Sequence, residues 1–135
     1  MSFAPAAPAT PAQSVTSAIL EAVRSWRIAR DTGNSIQPAL YAPLETRGYG
    51  LLAPVLDGLL TLFEAASRRR FDAGAPSDSA ITGDEHRLLD LLEGDDIVPP
   101  ADQFRPDLVS AMRVAVRSAR VMLQSMIRPE IAATA

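Results

Sequence analysis

The segment 50–70, GLLAPVLDGLLTLFEAASRRR, constrains the fold more than any other part of the chain. In a helix its apolar side chains would cover an arc of about 160°, wider than the stripe of a helix with one buried side. These side chains are Leu52, Val55, Leu56, Leu59, Leu60, Leu62, Phe63 and Ala66. Such a helix needs neighbours on several sides, so the segment predicts the central helix of a bundle. Interruptions at Asp57, Gly58 and Glu64 argue against a membrane span.

Two helices are predicted before this segment. The first should run from about Ser14 to Asp31, with Gly33 as the left-handed residue that ends it. Its predicted core stripe is Val15, Ile19, Ala22, Trp26 and Ala29, with Arg24, Arg27 and Asp31 on the opposite side. The second should be short and lie within 34–48, with Pro38 in its first turn. Pro43 would kink or break it, because an interior proline removes a backbone hydrogen bond.

Two more helices are predicted after a loop over 71–80. The fourth occupies 82–94, and the last begins at about Asp102 or Pro106 and ends at Ile127. The apolar face of the last helix is Leu108, Met112, Ala115, Val116, Ala119, Met122, Leu123 and Met126. No period-two alternation typical of strands occurs. The sequence thus predicts an all-α, compact bundle of about five helices, one of them short and proline-kinked.

The predicted domain covers 14–128. Residues 1–13 are rich in Ala and Pro and predict a disordered tail, and residues 129–135 predict a frayed C-terminus. Within the central segment, Glu64 and Arg68 have the i,i+4 spacing of a favourable ion pair.

The segment ITGDEHRLLDLLEG, residues 81–94, contains the single histidine among four carboxylates. His86, Asp90 and Glu93 share a helix face and are the candidate metal ligands or acid/base groups. No second helix supplies matching ligands, so we expect no metal or other cofactor. The favoured interpretation is structural: Thr82 and Glu85 have the spacing of a capping box, and Asp84 and Glu85 complement the helix dipole. Leu88, Leu89 and Leu92 would then be buried, and Gly94 would end the helix.

Charge is unevenly distributed along the chain. Residues 72–107 contain ten acidic side chains against two arginines, whereas residues 108–128 contain four arginines and no acid. Those four, Arg113, Arg117, Arg120 and Arg128, form a stripe beside the apolar face of the last helix and are the candidate binding surface. A solvated face or pairing with the acidic segment within the fold is the favoured interpretation, and recognition of an acidic protein or nucleic acid is the alternative.

A third face of the last helix combines Val114, Ser118, Val121 and Ser125. This face is small and nearly uncharged, which predicts either further helices around it or a second subunit against it.

Composition excludes several functions. Cysteine and lysine do not occur, which removes thiolate catalysis, zinc–thiolate sites, disulfides and lysine Schiff bases. Abundant Ala, Pro and Arg are typical of a GC-rich bacterial genome. We therefore expect a small cytoplasmic bacterial protein, not an enzyme, that acts as an interaction or regulatory module. Its expected partner is a protein, with self-association into a homodimer as one form. The alternatives are a nucleic-acid-associated regulator and a metal-dependent enzyme centred on His86.

Overall fold

The computed structural model describes residues 11–93 and 105–127, and every regular element in these ranges is helical. Five α-helices and one 3-10 turn follow in order. They are α1 (Pro11–Thr32), α2 (Ile36–Glu45), the 3-10 turn Gly50–Leu52, α3 (Ala53–Ser67), α4 (Gly83–Glu93) and α5 (Pro106–Ile127). The predicted all-α class and the five helices are confirmed within the described ranges.

Helix α1 begins earlier than predicted. Its first residue is Pro11, whereas the sequence predicted a start at about Ser14. A proline is compatible with the first turn, because the N–H that it lacks would have no partner there. The rest of the predicted tail, residues 1–10, and the predicted frayed end, 129–135, lie outside the described residues. At the other end, Gly33 has a φ of 73°, as predicted for the residue that ends the helix.

Helix α2 continues through its internal proline, so of the kink or break that the sequence predicted, the break does not occur. It continues through Pro43 to Glu45 and has Pro38 in its first turn. Pro43 lies in the last turn of α2, which ends at Glu45. The backbone hydrogen bond that the proline removes therefore affects only the end of the helix. The chain then turns at Gly48, whose φ is 83°. The Tyr49 N–H donates to the Leu44 carbonyl at 2.9 Å and closes the turn.

Helix α3 is the centre of the bundle. It packs against α2 and α5, α1 packs against α2, and α4 packs against α5. Six of the predicted apolar side chains of this segment are buried, and the other two are partly buried against the same core. The buried ones are Leu52, Leu56, Leu59, Leu60, Phe63 and Ala66. The prediction of a central helix is therefore confirmed.

Three aromatic rings connect the core to the loop after α3. Phe71 lies beyond the end of α3 but returns to the core, where it is fully buried. Its ring packs edge-to-face on Phe63, with centroids 5.1 Å apart, and on Trp26, with centroids 6.4 Å apart. These contacts add to the apolar area that the rings bury. They hold the start of the loop against α1 and α3.

By length and composition alone, one helical segment of the described chain could cross a membrane. It is Gly50–Ser67, with a mean hydropathy of 1.3. In the fold, 44% of this segment is buried inside the protein. Its apolar character is therefore accounted for by its central position in the bundle.

Candidate functional site

The N-terminus of α4 is a capping box, as the sequence predicted. The Glu85 N–H donates to Thr82 Oγ1 at 3.1 Å, and the Thr82 N–H donates to Glu85 Oε1 at 2.9 Å. Each bond satisfies an amide that the helix itself leaves without an acceptor. Leu88, Leu89 and Leu92 are buried as expected, whereas Gly94 lies outside the described residues.

The candidate metal ligands share an exposed face of α4. His86, Asp90 and Glu93 are all exposed. Glu93 Oε1 accepts a hydrogen bond from Thr16 Oγ1 of α1 at 2.8 Å, so this carboxylate contributes to helix packing. Within residues 11–93 and 105–127, no three His, Asp or Glu side chains are grouped closely enough to hold a metal ion. Their spacing places the three side chains on one face of α4, but no other described element supplies further metal ligands near them.

Glu85 has a second role that the sequence did not predict, because its side chain is completely buried against Arg24 of α1. Arg24 Nε donates to Glu85 Oε2 at 2.9 Å, and Arg24 Nη2 donates to Glu85 Oε1 at 3.1 Å. Although a helical wheel places Arg24 opposite the core stripe of α1, Arg24 is buried. The loop after α3 and the start of α4 cover that side of α1, so α1 is buried on two opposite sides.

Arg24 also binds the loop. Its Nη1 donates to the Asp78 carbonyl at 2.8 Å and its Nη2 to the Ala80 carbonyl at 3.0 Å. In return, the Gly74 N–H donates to Glu85 Oε2 at 3.0 Å. A buried guanidinium thus has a carboxylate and two carbonyls as acceptors, which compensates the cost of removing its charge from water.

The neighbouring carboxylate, Asp84, is buried beside a second arginine. Arg69 Nη1 donates to Asp84 Oδ2 at 2.6 Å, and the Asp72 N–H donates to the same oxygen at 2.8 Å. Burial alone would raise the pKa of Asp84 and of Glu85. Hydrogen bonds from an arginine, Arg69 or Arg24 respectively, together with backbone N–H donors and the attraction of the positive charges, outweigh it and hold both pKa values below the ordinary range. Both groups are therefore ionised at neutral pH.

Glu64 does not form the predicted ion pair with Arg68. Its Oε2 instead accepts from Arg27 Nη1 at 2.7 Å and from the Phe71 N–H at 2.8 Å, and Arg30 Nη2 lies 3.3 Å from Oε1. Arg68 adopts a left-handed conformation at the end of α3, with a φ of 58°. This conformation ends the helix, and the chain that follows places Phe71 rather than Arg68 beside Glu64.

A cleft of about 520 Å³ lies between α1 and the end of α3 and is lined by arginines. The sequence pattern did not predict that these arginines lie together. We call this cleft the arginine cleft. Its lining residues are Arg27, Arg30, Thr61, Glu64, Ala65, Arg69 and Arg70. The run of three arginines at 68–70 was visible in the sequence, but only the fold shows that it meets arginines of α1.

The described arginines of the predicted α5 stripe lie in different environments. Arg113 and Arg117 are exposed, and no ion pair or hydrogen bond joins either to another residue of the described ranges. Arg120 Nε instead donates to the Leu91 carbonyl at 2.7 Å and fastens α5 to the end of α4. Arg128 lies outside the described residues. The buried acids Asp84 and Glu85 pair with arginines outside α5, so of the two forms of the favoured interpretation the solvated face, and not the internal pairing, describes Arg113 and Arg117.

The third face of α5 is open to solvent. Val114 is 64% exposed and Val121 is 61% exposed, and Ser118 and Ser125 are exposed as well. The opposite side of the helix is buried against the bundle through Met112, Val116, Ala119 and Leu123. No other described helix covers this face.

Comparisons with known proteins give no relative from which a role could be transferred. No family model, no curated protein and no solved structure matches the chain.

Proposed function

We propose that the protein is a non-catalytic interaction module that binds an acidic protein partner through the outer face of α5. We define this α5 outer face by Arg113, Val114, Arg117, Ser118 and Val121. One observation carries the proposal: two widely exposed valines and two arginines without described ion-pair partners share one side of one helix. Exposed apolar side chains bordered by charge are characteristic of protein interaction sites.

The charges favour a partner of opposite sign. Arginine binds carboxylates through its planar fork, and complementary charge speeds and orients association. A second copy of the chain fits the face less well. Val114 and Val121 are equally far along the chain from the midpoint between Arg117 and Ser118. If the valines of two copies packed together about a two-fold axis, the axis would pass near this midpoint. The Arg117 side chains of the two copies would then lie close together. Like charges at such a contact oppose association.

The proposed role would suit a bacterial cytoplasmic regulator or adaptor. Nucleic acid is a less suitable partner for the same face, because the chain as a whole has a formal net charge of −3 and nucleic-acid modules are typically basic.

Paired variants test the proposal. The wild-type chain and Val121→Asp are used as bait in a host extract treated with nuclease, and captured proteins are then purified and measured for direct binding. We expect an acidic partner whose affinity falls at least about tenfold with Val121→Asp or Arg117→Glu, because each variant adds negative charge to the contact. Leu51→Asp is the matched control, since Leu51 is 76% exposed on another element. It should bind like the wild type.

Three results would contradict the proposal. The first is a partner that binds Val121→Asp as well as it binds the wild type. The second is a concentration-dependent dimer in light scattering that Val121→Asp abolishes, which would assign the face to self-association. The third is strongly salt-dependent binding to mixed DNA or RNA that Arg117→Glu removes, which would assign it to nucleic acid.

A further inference from the structure

The arginine cleft keeps a positive charge after its internal ion pairs are counted. Its four guanidinium groups pair with three carboxylates, Asp31, Glu64 and Asp84. Of these carboxylates only Glu64 lines the cleft itself. An anion that entered the cleft would therefore meet more positive than negative groups.

Arg30 is held in place but makes few polar contacts. Its guanidinium carbon lies over the buried Trp26 ring, 4.8 Å from the ring centroid. Its one ion pair within the described residues is the 3.3 Å contact with Glu64, longer than a typical charge-assisted hydrogen bond. A guanidinium has five N–H donors. The contact with Trp26 thus positions the Arg30 guanidinium and leaves most of its donors available at the cleft.

Arg70 supplies a second set of donors on the same cleft. Its Nη2 pairs with Asp31, the residue that follows Arg30 in α1, and its side chain is 64% exposed. Arg27 is more fully used, because it bonds to Asp31, Glu64 and the Phe71 carbonyl. Arg30 and Arg70 are therefore the two arginines best placed to donate hydrogen bonds to an external anion.

From this arrangement we propose that the arginine cleft binds a phosphate monoester. A carboxylate has two oxygens and is matched by one guanidinium fork, whereas a phosphate monoester has three terminal oxygens and can engage two forks. The cleft volume of about 520 Å³ is much larger than a phosphoryl group alone. The organic part of the ester occupies the remaining space, beside Ala65 and Thr61.

The single tryptophan of the chain provides a direct measurement. Trp26 lies under Arg27 at 5.1 Å and under Arg30 at 4.8 Å, so an anion that engages Arg30 changes the environment of the indole. Titration with inorganic phosphate and with glycerol 3-phosphate at constant ionic strength should give saturable changes in tryptophan fluorescence. Glycerol and sodium chloride serve as the controls without a phosphoryl group.

The variants separate specific binding from general charge. Arg70→Gln should weaken glycerol 3-phosphate binding by about tenfold, the effect of one hydrogen bond to a charged group. Arg70 is exposed, so the variant is expected to fold, which circular dichroism verifies. Arg113→Gln removes the same charge from α5 and should leave binding unchanged. Arg30→Gln alters the fluorescence itself, so its loss of binding is measured by phosphorus NMR line broadening.

The proposal is overturned if neither phosphate compound produces a saturable signal, or if sodium chloride reproduces the signal. It is also overturned if folded Arg70→Gln binds glycerol 3-phosphate as tightly as the wild type. If inorganic phosphate binds at least tenfold more tightly than the ester, the cleft is a site for the free ion and the ester assignment is wrong. None of these outcomes depends on the α5 outer face, with which the cleft shares no residue.

Discussion

The guanidinium of Arg24 and the carboxylate of Glu85 meet edge to edge inside the protein, with nitrogen–oxygen distances of 2.9 and 3.1 Å. The Arg24 side chain is 8% exposed and the Glu85 side chain is not exposed at all. The two residues belong to α1 and α4, and Arg24 also binds the loop between α3 and α4. One ion pair therefore joins three parts of the fold.

Removal of the charge of Glu85 should strongly destabilise the protein. Glu85→Gln keeps the shape of the side chain but leaves the buried Arg24 charge without a counter-ion, and we expect a loss of about 3 kcal/mol in the free energy of unfolding. Urea unfolding followed by circular dichroism measures it. The control Arg113→Gln removes an exposed charge and should change the free energy by less than about 0.5 kcal/mol. Equal effects of the two variants would show that the buried pair contributes nothing.

Stability should decrease in acid because of Asp84 and Glu85. Their pKa values in the folded state lie below the ordinary values, so the folded state binds protons less readily than the unfolded chain, whose carboxyl groups titrate near pH 4. The stabilisation is complete above that pH and is lost as the pH falls through the folded-state pKa values. Urea midpoints measured from pH 6 to pH 2 at constant salt should therefore fall. The fall should be smaller for Glu85→Gln, and an identical pH profile would contradict the assignment.

The cap of α4 is expected to depend on one hydroxyl. Thr82 Oγ1 accepts from the Glu85 N–H and donates to the Asp72 carbonyl at 2.6 Å. Thr82→Ala removes both bonds and should reduce the free energy of unfolding by about 1–2 kcal/mol. Thr82→Ser keeps the hydroxyl and should remain within a few tenths of a kcal/mol of the wild type. If serine is as damaging as alanine in urea unfolding, the methyl group and not the cap is responsible.

Two glycine-to-alanine substitutions should change the melting temperature in opposite directions. Gly58 lies within α3, and an added Cβ would meet no atom within 4 Å, so Gly58→Ala should raise the melting temperature through a gain of about 0.5–1 kcal/mol. At Gly74 an added Cβ would lie 3.1 Å from Arg24 Nη2. Because Glu85 and Ala80 hold that nitrogen, it cannot easily withdraw, and Gly74→Ala should lower the melting temperature. Stabilisation by both variants would show that Arg24 moves freely.

Local patterns predicted those features that local interactions determine. The Thr82–Glu85 cap depends on residues three apart, and the left-handed Gly33 depends on the chain at one position, so the sequence alone was sufficient for both. The apolar faces of α3 and α5 were predicted for the same reason, since 3.6-residue periodicity places their members on one side.

Features that depend on distant parts of the chain were not predictable in this way. On a helical wheel Arg24 lies opposite the core stripe of α1, and only the return of the chain at 71–82 buries it. Glu64 was assigned to Arg68 by spacing, but the left-handed turn at Arg68 brings the Phe71 amide to Glu64 instead. The arginine cleft has the same origin, because α1 and the end of α3 come together only in the folded chain.

The connection between α3 and α4 depends on α1 for part of its hydrogen bonding. The amides of Asp72 and Gly74 donate to the side chains of Asp84 and Glu85, whereas the carbonyls of Asp78 and Ala80 accept from Arg24 of α1. Because these two carbonyls have their donors only while α1 lies beside α4, the conformation of the connection and the association of the two helices are thermodynamically linked.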